Sequence, residues 1–273
     1  MPGTSGSREI ELLRLRPSGA RTGHAPVAVE EPLEIRLNGR PVAITMRTPG
    51  DDAELALGFL VSEGILRDPA AVLSVVPCTE TGRRVDVSTP PGAAGVRPPA
   101  ARSFFATSSC GVCGKASLEA LAVPTAGVHD DPLCVEEAVL CELPRELRAG
   151  QRLFEATGSL HAAALFDAEG KLACLREDVG RHNAVDKLIG WAAAVEALPL
   201  TGHTLMVSGR AGFEIVQKAL VAGIPILAAI SGPSTMAVEL AREGGLTLIG
   251  FLRGEELNVY SHPERILRRG ALR

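Results

Sequence analysis

The chain has 273 residues, 46% of them hydrophobic, with 28 Lys and Arg against 32 Asp and Glu, a net charge of −4 and a pI near 5.9. That length and apolar content can bury one large core, or a core domain with a smaller companion. The charge balance supplies no global basic field for nucleic acid or an anionic membrane, so any anion site has to be local. The apolar runs are broken by Gly, Pro or charge before the ~20 residues that span a bilayer, and residues 1–18 lack the continuous apolar stretch of a secretory signal, so a soluble cytoplasmic protein is expected.

Residues 1–26 are rich in Gly, Ser, Pro and Arg without periodicity and are expected to form a flexible leader. Residues 27–100 form the expected smaller α+β part. Within it, Leu33-Glu34-Ile35-Arg36-Leu37 and Val42-Ala43-Ile44-Thr45-Met46 alternate around Asn38-Gly39, the pattern of a hairpin with a tight turn. Asp51-Asp52 is placed to cap a helix running through Leu55, Leu57, Phe59, Leu60 and Ile65. The Pro- and Gly-rich residues 79–101 read as a loop and a boundary. The remaining residues, 101–273, form the expected core, with a short helix at 115–121 and another at 184–193. From residue 201 onward the sequence reads as a strand at 204–207, a helix at 212–221, a strand at 224–230, a helix at 234–243 and a strand at 246–251. This β-α-β-α-β order predicts an α/β fold with a parallel sheet covered by helices.

Six cysteines, Cys78, Cys110, Cys113, Cys134, Cys141 and Cys174, are too scattered in a chain this long for a disulfide framework. Cys110 and Cys113 differ, because Ser109-Cys110-Gly111-Val112-Cys113-Gly114-Lys115 sets two thiols three positions apart in a glycine turn before a predicted helix. Open N–H groups, a helix dipole and Lys115 all favour thiolate, the form that attacks a persulfide or disulfide sulfur. A CxxC alone does not separate sulfur transfer from redox work. Structural zinc would need two more close ligands, and Cys134 and Cys141 are poorly spaced for it, so no intrinsic metal is expected. The other four cysteines read as small buried apolar residues.

Three further groups carry polar chemistry. His161-Ala162-Ala163 partly matches the His-x-Glu segment of zinc deaminases, but Ala163 stands where the proton-shuttling glutamate belongs. Arg176-Glu177-Asp178-Val179-Gly180-Arg181-His182-Asn183 packs six polar or charged side chains into eight residues. Asn183 or Asp178 could cap the helix that follows, and His182 could serve proton transfer or ligand positioning. At the ends of the three C-terminal strands lie Ser208-Gly209-Arg210, Ser231-Gly232-Pro233-Ser234 and Phe251-Leu252-Arg253-Gly254-Glu255-Glu256. Ligands of parallel sheets bind outside such carboxyl ends, so these loops predict a nucleotide pocket. There Arg210 and Arg253 face phosphates, and Glu255 or Glu256 accepts hydrogen bonds from a guanine edge.

Taken together, the segment from Ser108 to Lys115, the run Arg176-Glu177-Asp178-Val179-Gly180-Arg181-His182-Asn183-Ala184-Val185-Asp186-Lys187, and Ser208-Gly209-Arg210 resemble the FdhD family of formate dehydrogenase accessory sulfurtransferases. The resemblance runs from Glu31-Pro32-Leu33 to Asn258-Val259-Tyr260-Ser261-His262-Pro263-Glu264-Arg265. It implies a cytidine-deaminase-like core, a cysteine desulfurase as sulfur donor, and Cys110 as the persulfide intermediate with Cys113 as its partner. It further implies delivery to the molybdenum or tungsten bis-guanine-dinucleotide cofactor, bound as substrate at Phe251 to Glu256, before insertion into the formate dehydrogenase catalytic subunit. A chaperone that only ferries the cofactor is the competing reading, and a zinc-binding deaminase relative a third. A homodimer is left open.

Overall fold

The computed structural model describes residues 6–80, 82–96 and 123–268. Its first element is an antiparallel hairpin, β1 (Ser7–Arg16) and β2 (Gly19–Ala28), turning at Pro17-Ser18. A flexible leader without periodicity was the expectation for residues 1–26; residues 7–28 form this hairpin. The apolar residues of β1 change phase between Leu12 and Leu13 and stay largely exposed, so neither alternation nor burial marks the strand in the sequence. At the base of the ribbon, Gly6 lies so close to Leu153 that a Cβ would stand 2.7 Å from its Cδ1.

β3 (Glu31–Leu37) and β4 (Arg40–Arg47) follow as the predicted hairpin. Leu37 pairs with Arg40, leaving Asn38 (φ 51) and Gly39 (φ 74) as two left-handed turn residues whose twist matches the strands. The helix α1 (Asp52–Ser62) begins as expected but stops short of Ile65. Asp51 gives it a backbone carbonyl and no side-chain cap, and Asp52 instead grips buried Arg47 at 2.8 Å through both oxygens. β5 (Ser74–Pro77) and β6 (Arg84–Ser88) complete a four-stranded sheet in the order β4-β3-β6-β5. β6 lies inside the stretch 79–101 read as loop. Val85 and Val87 are fully buried at period two, a five-residue signal drowned by the glycines and prolines around it. The two-thiol loop with Cys110 and Cys113, and the helix expected at 115–121, lie outside the described residues.

The rest of the chain runs β7 (Val135–Glu136), α2 (Glu137–Gly150), α3 (Arg152–Thr157), β8 (His161–Phe166), β9 (Leu172–Asp178), α4 (Arg181–Ala194), β10 (Thr204–Val207), α5 (Phe213–Val221), β11 (Ile226–Ala229), α6 (Thr235–Glu243), β12 (Thr247–Arg253), β13 (Glu256–Ser261) and β14 (Ile266–Leu267). The predicted β-α-β-α-β unit is borne out, with β10, β11 and β12 parallel. The sheet is mixed, however: β8, β9 and β13 join it antiparallel, in the order β13-β12-β11-β10-β8-β9. Period-two alternation then sorts its side chains. Ala163, Leu165, Leu205, Val207, Leu227 and Leu248 pack toward α4, α5 and α6, and on through α1 to the four-stranded sheet. Ala162, Ala164, Phe166, Met206, Ala228 and Ile249 pack toward α2. Among the described residues no helix is long and apolar enough to cross a membrane.

Where α1, α4 and α5 meet, Lys218 Nζ donates to Ser62 Oγ at 2.8 Å and to both Asp186 oxygens at 2.8 and 3.0 Å, with Glu63 at 3.4 Å. Burial pushes the Asp186 carboxyl up even with the ammonium beside it, while the charges of Asp186 and Glu63 hold Lys218 up against its own desolvation. Lys218→Met should therefore cost about 3–5 kcal/mol at neutral pH by leaving a buried carboxylate without its cation. In that variant Asp186 binds its proton more tightly folded than unfolded, so the deficit shrinks as pH falls toward the ordinary aspartate range. Denaturant melts at pH 7.5 and 5 check both magnitude and sign.

Candidate functional site

The antiparallel entry of β8 and the antiparallel run of β9 bring their functional ends to the edge where the parallel strands finish. His161, first in β8, is paired with Asp178, last in β9, and Ala163 is paired with Val207, last in β10. The three loops predicted to form the pocket are joined by backbone. Ser231 N donates to Gly209 O (3.4 Å), Ser234 N to Ala211 O (3.3 Å) and Phe251 N to Ser231 O (3.3 Å). Ser208, Gly209, Ser231 and Phe251 thus share one edge. Phe251 takes φ 53, a region that side-chain-bearing residues rarely use, and its exposed ring lies over Gly232, where a Cβ would be 2.7 Å from Cζ.

The third loop differs from its prediction. Leu252 and Arg253 are still in β12, and Gly254-Glu255 forms the turn into β13, with Arg253 paired to Glu256. The segment is a hairpin that projects past the edge. Leu252 is buried, and Arg253 is exposed with Nε donating to Ile230 O at 3.2 Å. Arg210 is exposed beside Gly209, and Glu255 and Glu256 lie exposed on the hairpin.

The polar run at 176–187 divides in two. Most of it clamps the N-terminal part to the core: Arg176 grips Glu54 through Nε (2.6 Å) and Nη2 (2.8 Å), and Asn183 Nδ2 donates to Met46 O (2.7 Å) and Asp178 Oδ1 (2.9 Å). Buried Asp178 accepts from Thr48 N (3.1 Å) and Gly180 N (2.8 Å) and pairs with Lys187 at 2.9 Å. Neither Asp178 nor Asn183 caps α4. Its N-cap is Gly180, with no side-chain bond, because the two expected caps are already tied to the N-terminal part. Glu177 accepts from the amides of Leu153 (2.9 Å) and Phe154 (2.8 Å) and so anchors α3. Arg181 and His182 remain for the edge. Buried His182 sets Nε2 2.7 Å from Glu214 Oε2, linking the starts of α4 and α5.

Beside this edge, under α2 and α3, lies a cavity of about 610 Å³ lined by Leu147, Arg148, Gln151, Phe154, His161 and Ser208 among others. Its volume suits a small-molecule ligand. Arg148 stacks over Phe154 at 4.4 Å. Burial first, then the charges of Arg181 and His182, push the His161 imidazole below the usual histidine range, so it stands neutral near pH 7. The sequence selected none of Arg148, Gln151 or Phe154, because no spacing rule places α2 and α3 against the start of β8.

Of the four other cysteines, none of which is in a disulfide, Cys174 is buried, and burial pushes its thiol up to about 12, which disfavours the thiolate there. Cys141 is raised by burial and by Glu137, Glu255 and Glu142. Cys78 is half-buried and Cys134 exposed, contrary to the uniformly buried reading. Among the described residues no group of three His, Cys, Asp or Glu side chains is placed to hold a metal ion.

Comparison with known proteins completes the description. The sequence model of the family described as FdhD/NarQ matches residues 28–267. Among curated relatives, a sulfur carrier protein FdhD of Streptomyces avermitilis is 52% identical over 270 residues, 96% of each chain. The protein of that name from Mycobacterium tuberculosis is 51% identical over 257 residues, covering 88% of this chain and 91% of the relative. The one from Saccharolobus solfataricus is 44% identical over 262 residues, 95% of this chain and 98% of the relative. A crystal structure described as a formate dehydrogenase accessory protein from Desulfotalea psychrophila matches with a TM-score of 0.76 at 27% identity, over 96% of this chain and all of that one.

Proposed function

The chain belongs to the FdhD/NarQ family, and from that premise we propose that it is a sulfur carrier serving the maturation of a formate dehydrogenase. The observation that carries this reading is the 52% identity, over 96% of both chains, to a protein named a sulfur carrier. In the finer reading, the Cys110 thiolate attacks the sulfane sulfur of a cysteine desulfurase persulfide. The Cys110 Sγ–S bond forms, the bond to the desulfurase sulfur breaks, and the desulfurase thiolate leaves. Cys113 assists, and the sulfur passes to a molybdenum or tungsten bis-guanine-dinucleotide cofactor held as substrate at the edge. The three loops support that nucleotide half of the proposal, since backbone hydrogen bonds join them at the carboxyl ends of the parallel strands, where ligands of such sheets bind. The cytidine-deaminase-like description of the core and a cytoplasmic location belong to the same proposal. The mixed sheet with helices on both faces supports the former, and a thiol-based carrier in a reducing compartment the latter.

Incubation with a cysteine desulfurase and cysteine, followed by intact-protein mass spectrometry, tests the carrier. A sulfur-sized gain that a reductant removes is expected. No gain, with guanine nucleotide still bound, would favour the cofactor chaperone instead.

The nucleotide half has its own check at Arg253, an exposed residue of the hairpin whose Nε donates to Ile230 O. A charged hydrogen bond to phosphate contributes about 1.5–3 kcal/mol, so Arg253→Ala should weaken GDP binding about tenfold to a hundredfold in calorimetric titration. Melting should barely move, because the carbonyl it releases can turn to water. Equal affinities would remove this hairpin from the pocket.

A further inference from the structure

Arg181, the first residue of α4, is half-buried, its Nε is sealed from solvent, and none of its nitrogens has a hydrogen-bond or ion-pair partner among the described residues. Arg36, Arg47 and Arg265 also carry one sealed nitrogen without a hydrogen-bond partner, yet each engages a carboxylate or carbonyl through another. A guanidinium edge taken out of water unpaired is costly, so its position needs an oppositely charged partner. The nearby acids are engaged elsewhere: Asp178 with Lys187, Glu177 with the amides of α3, and Glu214 with His182.

What surrounds Arg181 fits an anion. Arg181 Cδ lies 3.8 Å and His161 Nδ1 3.4 Å from the point where Gly209 would carry a Cβ, so the glycine leaves a notch between the two side chains. His161 also has no ring partner among the described residues and lines the cavity beside Ser208. Ser208 Oγ accepts from Ala162 N at 2.8 Å, which leaves its own proton to donate. α4 starts at this point with no side-chain cap, so the positive end of its dipole adds to the same field.

We propose that Arg181, His161 and Ser208, gathered round Gly209, hold a phosphate group of the bound nucleotide beside the α2–α3 cavity. This rests on the nucleotide reading above and deepens it, assigning the phosphate to the start of α4 in addition to the β12–β13 hairpin. Arg181 is the binding charge, and His161 and Ser208 complete the cradle as neutral donors.

Calorimetric titration of the full chain and Arg181→Gln with GDP, pyrophosphate and guanosine tests the assignment, with thermal unfolding alongside. The variant is expected to lose at least tenfold in affinity for GDP and for pyrophosphate, to bind guanosine as the parent does, and to keep its melting temperature. Arg181→Lys, which retains the charge without the planar fork, should fall between the two. Unchanged GDP and pyrophosphate binding in Arg181→Gln overturns the assignment and leaves the rest of the edge as the nucleotide site. Loss of guanosine together with a lowered melting temperature overturns it in favour of a structural role. If the parent chain binds neither phosphate probe, both this assignment and the nucleotide reading fall, while sulfur loading is read separately by mass.

Discussion

Gly190→Val is expected to abolish the native fold. α1 and α4 cross with reciprocal glycines: a Cβ on Gly190 would stand 1.8 Å from Glu54 O, and one on Gly58 1.8 Å from Asp186 O. Neither contact can relax by rotating a side chain, because both partners are backbone, so the helices would have to part. Their separation would break the Arg176–Glu54 pair at 2.6 Å and the Ser62–Asp186–Lys218 cluster together. An ordinary helical Gly gains about 1 kcal/mol of stability on becoming Ala. Here the sign reverses, and Val should cost on the order of 5 kcal/mol or more. That is comparable to the whole net stability of about 5–15 kcal/mol. Circular dichroism and size exclusion should show an expanded or aggregated chain, with Gly190→Ala already strongly destabilised. A Gly190→Val protein melting like the parent would refute the close crossing.

The parallel strands β10, β11 and β12 were legible because each is short, buried along most of its length and followed or preceded by glycine or serine, and because β-α-β spacing admits few arrangements. Gly212 and Ser234, expected as the first residues of their helices, are instead the N-caps, Ser234 Oγ accepting from Ala237 N at 3.3 Å. Which strands join antiparallel was not legible, because alternation in β8 or β13 fixes the faces of a strand and not its neighbour. β1 and β6 were missed for opposite reasons. β1 is a strand whose apolar residues remain exposed, and β6 is a well-buried strand among turn-forming residues.

The candidate site was legible where it is built from backbone. Small residues at strand ends announce an open loop whatever the rest of the chain does, and the three loops do meet. The polar run at 176–183 is denser than a helix cap requires, and most of it, with Lys187 just beyond, is spent on contacts far away in sequence: Arg176 with Glu54, Asn183 with Met46, Lys187 with Thr48. No local pattern carries such pairings. The same holds for Arg181, which is set apart by having no partner among the described residues, a property that exists only once the other described charges have been placed.

The central claim is that sulfur travels on Cys110. After incubation with a cysteine desulfurase and cysteine, proteolysis under non-reducing conditions and peptide mass spectrometry should place a reductant-sensitive sulfur on the peptide holding Cys110. Cys110→Ser should carry none and should fail to activate formate dehydrogenase, because a hydroxyl keeps the size of the side chain but forms no persulfide at neutral pH. Its melting temperature should match the parent's. A Cys110→Ser protein that still acquires sulfur on this loop and still activates the dehydrogenase would contradict the account.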